Sequence, residues 1–170
     1  MNSKLTMMAK YMVLFIMVLI AATGILSARG LYADGPFWLY HMLVRGGFYI
    51  FDAQRAYAQF LVEFPVYLAI EGGIRDLNTL IRVHSFGLIG VPILFWCGAL
   101  LIQLRTPIFW WLTLAFTVTY LRSGFFAAGE YNTAYGLVAI SFSIILRKEL
   151  SYFYKAIFLG CAIVLTHAYE

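Results

Sequence analysis

Residues 83–104 read VHSFGLIGVPILFWCGALLIQL, twenty-two residues without a charge, and Arg82 and Arg105 stand at the two ends of the stretch. An α-helix rises about 1.5 Å per residue, so roughly 20 apolar residues are needed to cross the ~30 Å hydrocarbon core of a bilayer. The stretch therefore predicts a membrane-spanning helix.

The composition of the whole chain agrees with an integral membrane protein. Of 170 residues, 63% are hydrophobic and 12% are charged, against about 45–50% and about 25% in soluble domains, and the mean hydropathy is +0.84. The net charge of +4 does not indicate a nucleic-acid partner, because the basic residues stand mostly singly at the ends of apolar runs. Cys97 and Cys161 lie inside apolar runs and match no metal or redox spacing, so we expect them to be small core residues.

Charged residues divide the chain into predicted spans. Their approximate bounds are 10–28, 83–104, 106–122, 128–146 and 152–169. The last three are short and reach a crossing length only with neutral flanking residues. For the first span a cleaved signal peptide is the alternative, because the start of the chain is basic and the run ends in small residues. We expect an all-α fold: one membrane domain over residues 1–170, a polytopic bundle of about five transmembrane helices.

The basic residues predict the orientation of this bundle. Five crossings with the N-terminus in the cytoplasm place six basic residues inside, namely Lys4, Lys10, Arg105, Arg147, Lys148 and Lys155. This set contains every lysine and lies close to the ends of the spans, where the positive-inside rule is counted. We therefore expect a multi-pass protein of a bacterial-type cytoplasmic (inner) membrane, with the N-terminus inside and the C-terminus outside.

An outer segment, residues 29–82, separates the first two spans. Its stretch DAQRAYAQFLVEF (52–64) carries polar residues every three or four positions, which are Asp52, Arg55, Gln59 and Glu63. This spacing places them on one stripe of a helix, and an amphipathic helix in the membrane interface is the expected structure. The stripe either keeps one face of the helix wet or faces a cavity under the outer ends of the spans.

The end of this segment carries helix-breaking and helix-starting signals. Pro65 is expected to break or kink the interfacial helix. The EGG sequence (71–73) predicts a turn, and Asp76 or Asn78 can cap the helix that continues into the second span.

Ionisable residues predicted on the outer side are the candidate functional residues. They are Asp34, His41, Arg55, Arg82, His84, Glu130 and His167. Such residues at membrane depth are candidates for function by default, although a histidine in a span can also serve only to hydrogen-bond a neighbouring helix. A proton-handling or phosphate-contacting site and a metal or haem site are both compatible with the set. Haem is disfavoured, since neither a second histidine pair nor C-x-x-C-H accompanies the residues.

The layout resembles the amino-terminal module of the GT-C membrane glycosyltransferases, which use polyprenyl-phosphate-linked sugars. The residues that carry the resemblance are YADGPFWLYHML (32–43), VEFP (62–65), GEYN (129–132) and THAYE (166–170). The stretch QFLVEFPVYLAIEGGIRDLNTLIRVHSFG (59–87) also resembles a family of bacterial integral membrane proteins of similar layout, which implies no particular activity.

The glycosyltransferase resemblance implies a module or fragment that acts on lipid-linked sugars at the outer face of the membrane. It implies that Asp34 accepts a proton from a sugar hydroxyl, or contacts a divalent metal as in some members. Glu130 and His84 are the other catalytic candidates. The substrate-binding candidates are Arg55, Arg82, His41 and His167, with the arginines holding a lipid-linked phosphate. We expect no organic cofactor and assign no metal ligands, and a divalent metal stays compatible with the sequence. Family members have many more spans, which implies a truncated product or a half-module that needs a partner.

A different class of function is also compatible with the sequence. The chain would then be a non-catalytic subunit or assembly factor of a larger membrane complex. Trp110 and Trp111 would be interfacial anchors, and the small residues of GLIG (87–90) and GCA (160–162) would be helix-packing surfaces.

Overall fold

The computed structural model describes residues 3–50, 56–123 and 130–166, and all regular structure within these ranges is helical. The helices are α1 (Ser3–Leu26), α2 (Gly35–Arg45), α3 (Ala56–Glu71), α4 (Leu77–Ser85), α5 (Val91–Ile102), α6 (Ile108–Ser123), α7 (Glu130–Ile145) and α8 (Tyr152–Thr166). A 3₁₀ turn, Arg29–Leu31, follows α1, and a π-helical turn, Phe86–Gly90, joins α4 to α5. The predicted all-α class is confirmed for the described residues.

Two helical stretches are long and apolar enough to cross a membrane by length and composition, Lys4–Leu26 and Leu77–Ile102. In an 18-residue window of the first stretch, 28% is buried inside the protein. Most of its apolar surface is therefore left for lipid or another partner, and a cleaved signal peptide stays the alternative for this stretch. The apolar parts of α6, α7 and α8 lie within the last three predicted spans. Each is 10–17 residues long, which is shorter than the span predicted there. Membrane association therefore rests on two helices, and the count of five spans stays a prediction.

The helices α3 and α4 form a hairpin whose turn follows the predicted signals. Gly73 has a φ of 81°, a left-handed conformation that favours glycine. Asp76 then caps α4, because its carboxylate accepts hydrogen bonds from the hydroxyl of Thr79 (2.6 Å) and from the backbone N–H of Thr79 (2.8 Å). These bonds hold the pKa of Asp76 below its ordinary value. The predictions of a turn at 71–73 and of Asp76 as a cap are confirmed.

Of the two outcomes predicted for Pro65, the helix break is wrong, because α3 continues through Pro65 to Glu71, whereas a kink stays a prediction. Proline removes one N–H donor from the helix, a cost that packing can outweigh. Here Val62 and Val66, on either side of the proline, are fully buried. Residues 52–55 lie outside the described part of the chain.

Glycines allow the closest contacts between helices. A Cβ atom added at Gly87, in the π-helical turn, would lie 2.0 Å from the carbonyl oxygen of Val62 in α3. One added at Gly136 in α7 would lie 3.0 Å from the carbonyl oxygen of Pro92. Such close backbone approaches are typical of helix packing in membranes. GLIG (87–90) is thus buried, as predicted for a packing surface, whereas Gly160 of GCA has open space beside it.

Basic side chains gather at one end of the bundle, where α5 and α7 end. The ammonium of Lys10 donates to the carbonyls of Leu104 (2.7 Å) and Thr106 (3.1 Å). At the same end Arg147 donates to the carbonyl of Ile102 (3.3 Å), and Lys155 donates to the carbonyl of Ile145 (3.0 Å). Cations at helix C-termini are stabilised by the helix dipole and satisfy carbonyls that have no partner within the helix. The contacts bring three residues of the predicted inner set, Lys10, Arg147 and Lys155, to one end.

Candidate functional site

His84 joins the outer segment to the second predicted span. Its side chain is fully buried in α4, and Nε2 lies 3.1 Å from the carbonyl oxygen of Gly35, the first residue of α2. The next residue, Ser85, accepts a hydrogen bond at Oγ from the backbone N–H of Gly30 (3.1 Å). A Cβ at Gly30 would lie 2.7 Å from Cα of Ser85, so only glycine fits there. Two neighbouring side chains of α4 thus bind the start of the outer segment.

The contact with Gly35 determines how the His84 ring can act. A carbonyl oxygen only accepts hydrogen bonds, so we assign the proton to Nε2, which leaves Nδ1 as an acceptor. Nδ1 of His84 and Oγ1 of Thr133 are the buried side-chain atoms without a hydrogen-bond partner among the described residues. The ring is therefore a donor to the protein's own backbone, with one unused acceptor that is sealed from solvent.

Asp34, the catalytic base implied by the resemblance, lies next to this contact in the chain but in a different environment. It is exposed at the N-cap position of α2, and its side chain forms no capping hydrogen bond. Arg82, a substrate-binding candidate, is exposed on α4 and acts electrostatically on Asp76. Of the predicted catalytic residues, the structure places His84 in a sealed position and Asp34 at the surface.

A second polar contact, which the sequence did not predict, binds the loop that follows α2 to α3. Glu63 is fully buried, and its carboxylate accepts hydrogen bonds from the backbone N–H of Tyr49 (2.8 Å) and from Nε2 of Gln59 (2.7 Å). Nε2 of Gln59 also donates to the carbonyl of Tyr49 (2.5 Å). Burial raises the pKa of Glu63 to about 7, and the two donated hydrogen bonds partly oppose this effect. This half of the polar stripe therefore faces the loop backbone, not water.

Aromatic contacts also hold the loop after α2 against α2 itself. His41, predicted to bind substrate, is half-buried and stacks on the ring of Tyr49 at a centroid distance of 4.3 Å. The edge of Phe37 approaches His41 at 4.4 Å, and the guanidinium of Arg45 lies 4.7 Å from the centre of the Tyr49 ring. Tyr49 is thus held through its backbone by α3 and through its ring by α2. No motif marked Tyr49, because its carboxylate partner lies fourteen residues away in the chain.

Three predicted site residues have no described side chain. Arg55 and His167 lie outside the described residues, and Glu130 begins α7 but only its backbone is described. Their predicted roles stay predictions. Among the residues that the structure does describe, no three His, Cys, Asp or Glu side chains come together as a metal site.

One narrow cleft opens beside the π-helical turn, between α5, α6 and α7. Its lining is mainly apolar, with Trp96 and Phe116, and its polar groups include Tyr120 and Asn132. The space that the centre of a water molecule can reach is about 20 Å³, which suits a water molecule but not a sugar. Asn132 belongs to the GEYN sequence that carried part of the resemblance. Neither Asp34 nor His84 lines this cleft.

Comparison with known proteins gives no relative: no protein-family model, no curated protein and no solved structure matches this chain.

Proposed function

We propose that this protein is a non-catalytic subunit of a larger membrane complex. In this role the outer segment is a fixed cap on the helical bundle. The observation that carries the proposal is that, among the described residues, the buried polar side chains of α3 and α4 bind the protein's own backbone and do not face an open cavity. His84, Ser85, Gln59 and Glu63 all bind backbone groups of the outer segment. Buried polar groups that are satisfied in this way hold one arrangement of the chain.

The proposal includes five spans, with the N-terminus in the cytoplasm and the outer segment on the far side of an inner membrane. The gathering of Lys10, Arg147 and Lys155 at one end of the bundle supports this orientation. α6, α7 and α8 are short for independent spans, but α6 and α7 pack with α5, and α8 packs with α7. Short spans are accommodated by thinning of the bilayer or by association with other helices.

α8 offers the surface on which a partner helix would lie. Its start is aromatic and strongly exposed, and Tyr152, at 89%, is the most exposed of the large hydrophobic side chains that the structure describes. Farther along, Gly160 and Cys161 are also exposed, and small residues allow a second helix to approach closely.

A cross-linking experiment on the tagged full-length chain tests the proposal. Cys161 is exposed, whereas Cys97 is partly buried, so a thiol-reactive cross-linker in native membranes should act mainly at Cys161. We expect a larger membrane protein linked to the chain in constant proportion, with the link lost in Cys161→Ser and kept in Cys97→Ser. Recovery of the chain alone, together with sugar transfer by that preparation, would contradict a subunit role.

The glycosyltransferase module is the alternative proposal. Its support is the position of Asp34. This residue precedes Gly35, which contacts His84, and its side chain is exposed, so a substrate can reach it. In this function Asp34 accepts the proton of the sugar hydroxyl as the new glycosidic bond forms, while the bond from the donor sugar to the phosphate breaks and polyprenyl phosphate leaves with that electron pair. The test is transfer from a polyprenyl-phosphate-linked sugar by the purified chain. Loss of transfer in Asp34→Asn but not in Asp76→Asn, with both variants folded, would favour this alternative.

A further inference from the structure

The turn between α5 and α6 and the turn between α7 and α8 border a groove of about 530 Å³. This volume lies within the range of small-molecule sites, roughly 300–1,000 Å³. The groove is at the basic end of the bundle, away from the outer segment and its polar contacts. Arg105, Arg147 and Lys148 all contribute to its lining.

The two borders of the groove are fixed to each other. Nε2 of Gln103, which is buried, donates to the carbonyl of Ser143 at 2.9 Å. The guanidinium of Arg147 donates to the carbonyl of Ile102 at 3.3 Å. Both bonds connect the end of α5 with the end of α7, so the groove is formed before any ligand enters, and a ligand does not have to order it.

The groove carries an excess of positive charge. It contains three cations and one carboxylate, Glu149, which leaves two net positive charges. Glu149 is paired with Arg147 at 3.1 Å. Arg105 and Lys148 are exposed and form no hydrogen bond or ion pair with any described residue. The carbonyls at the end of α5 already accept hydrogen bonds from Lys10 and Arg147. Arg105 and Lys148 are therefore available to bind an external anion.

Apolar surface borders the charged residues. Leu101 and Leu146 line the same groove and are 53% and 40% exposed. A free anion in water gains nothing from such neighbours, whereas a lipid presents its phosphate and the first methylenes of its acyl chains together. The groove also lies where the apolar helices α5 and α7 end, which is the depth of a lipid headgroup if these helices span the membrane.

We propose that this groove binds the phosphate of an anionic phospholipid, with Arg105 and Lys148 as the phosphate ligands and Leu101 and Leu146 against the acyl chains. Arginine presents paired donors that match phosphate oxygens, and lysine adds a point charge. Arg147 keeps the two turns in place. The site requires membrane insertion but neither a subunit role nor sugar transfer.

Native mass spectrometry of the full chain, with defined lipids added to the micelles, tests the site. We expect phosphatidylglycerol to bind more tightly than phosphatidylcholine. Neutralisation in Arg105→Gln or Lys148→Gln should weaken phosphatidylglycerol binding about fivefold each, since one basic residue near an anionic surface contributes about 1 kcal/mol. The matched control is Arg75→Gln, which removes an exposed cation at the opposite end of the second span.

Three results would overturn the proposal. One is equal binding of the two lipids. Another is an equal loss of binding in Arg75→Gln and in the groove variants. The third is displacement of phosphatidylglycerol by inorganic phosphate at equal concentration, which would assign the groove to a free anion. Helical content by circular dichroism identifies a variant that fails to fold, and for such a position the milder Arg105→Lys or Lys148→Arg, which keeps the charge, should retain the lipid preference.

Discussion

The buried carboxylate of Glu63 should make the stability of the outer cap depend on pH. Its pKa is about 7 in the folded protein and 4.5 for an ordinary glutamate. Below pH 4.5 the side chain is protonated in both states, and between these two values only the folded protein holds the proton. Stability should therefore fall as the pH rises from 4.5 to 7, and it should change little above pH 7.

The size of this effect follows from the same two values. They differ by about 2.5, and each unit of pKa corresponds to about 1.36 kcal/mol, so the loss of stability amounts to about 3 kcal/mol. The groups that face Glu63 are Gln59 and the backbone of Tyr49, and His41 and Arg45 lie on the ring of Tyr49. They remain in a Glu63→Gln variant, so the difference between wild type and variant isolates Glu63.

Reversible unfolding in micelles, followed by tryptophan fluorescence across this pH range, measures the effect. The free energy of unfolding of the wild type should fall with pH relative to that of Glu63→Gln by about 3 kcal/mol. Glu71→Gln, which removes an exposed carboxylate at the end of the same helix, should keep the dependence of the wild type. Parallel curves for wild type and Glu63→Gln would refute the reasoning.

Three further changes test the packing. Gly87→Ala places a Cβ about 2.0 Å from the carbonyl oxygen of Val62 and should lower the free energy of unfolding by about 1–3 kcal/mol, whereas Gly47→Ala, with open space around it, should change it by less than about 0.5 kcal/mol. Lys10→Met leaves the carbonyl of Leu104 without its 2.7 Å donor and should cost about 1–3 kcal/mol in the same unfolding assay, and an unchanged value would contradict the capping role. His84→Phe removes the donor to Gly35 and should lower the thermal midpoint, and an unchanged midpoint would show that this hydrogen bond does not hold the cap.

The sequence predicted those parts of the fold that depend on local signals. The uncharged stretch after Arg82 forms part of one continuous helical stretch, and Asp76 caps the start of that stretch because a carboxylate three residues before Thr79 is within reach of its N–H. The π-helical turn at 86–90 was not predicted, although Gly87, Gly90 and Pro92 occur there. Pro92 has no N–H to give to the carbonyl of Leu88, and such gaps accompany local changes of helix type.

The candidate site was predicted less well, because its contacts join distant parts of the chain. The sequence placed His84 at the start of the second span and Glu63 beside Gln59 on the polar stripe, but it did not predict the backbone partners of either residue. Those partners are backbone groups of Gly35 and Tyr49, and a backbone carbonyl or N–H carries no sequence signal. The prediction that Gln59 and Glu63 lie on one face of a helix was correct. What that face contacts could not be predicted, because the loop that contains Tyr49 meets it only in the folded protein.

Hydrogen–deuterium exchange over residues 29–50, in the full chain reconstituted in lipid nanodiscs, tests most directly that the outer segment is a fixed cap. The amides of Gly30 and Tyr49 donate to Ser85 and Glu63, so peptides that contain them should exchange slowly, and exchange should become faster in His84→Phe and Glu63→Ala but not in Glu71→Gln. Fast exchange of the whole segment in the wild-type protein, as in an open substrate chamber, would contradict the account.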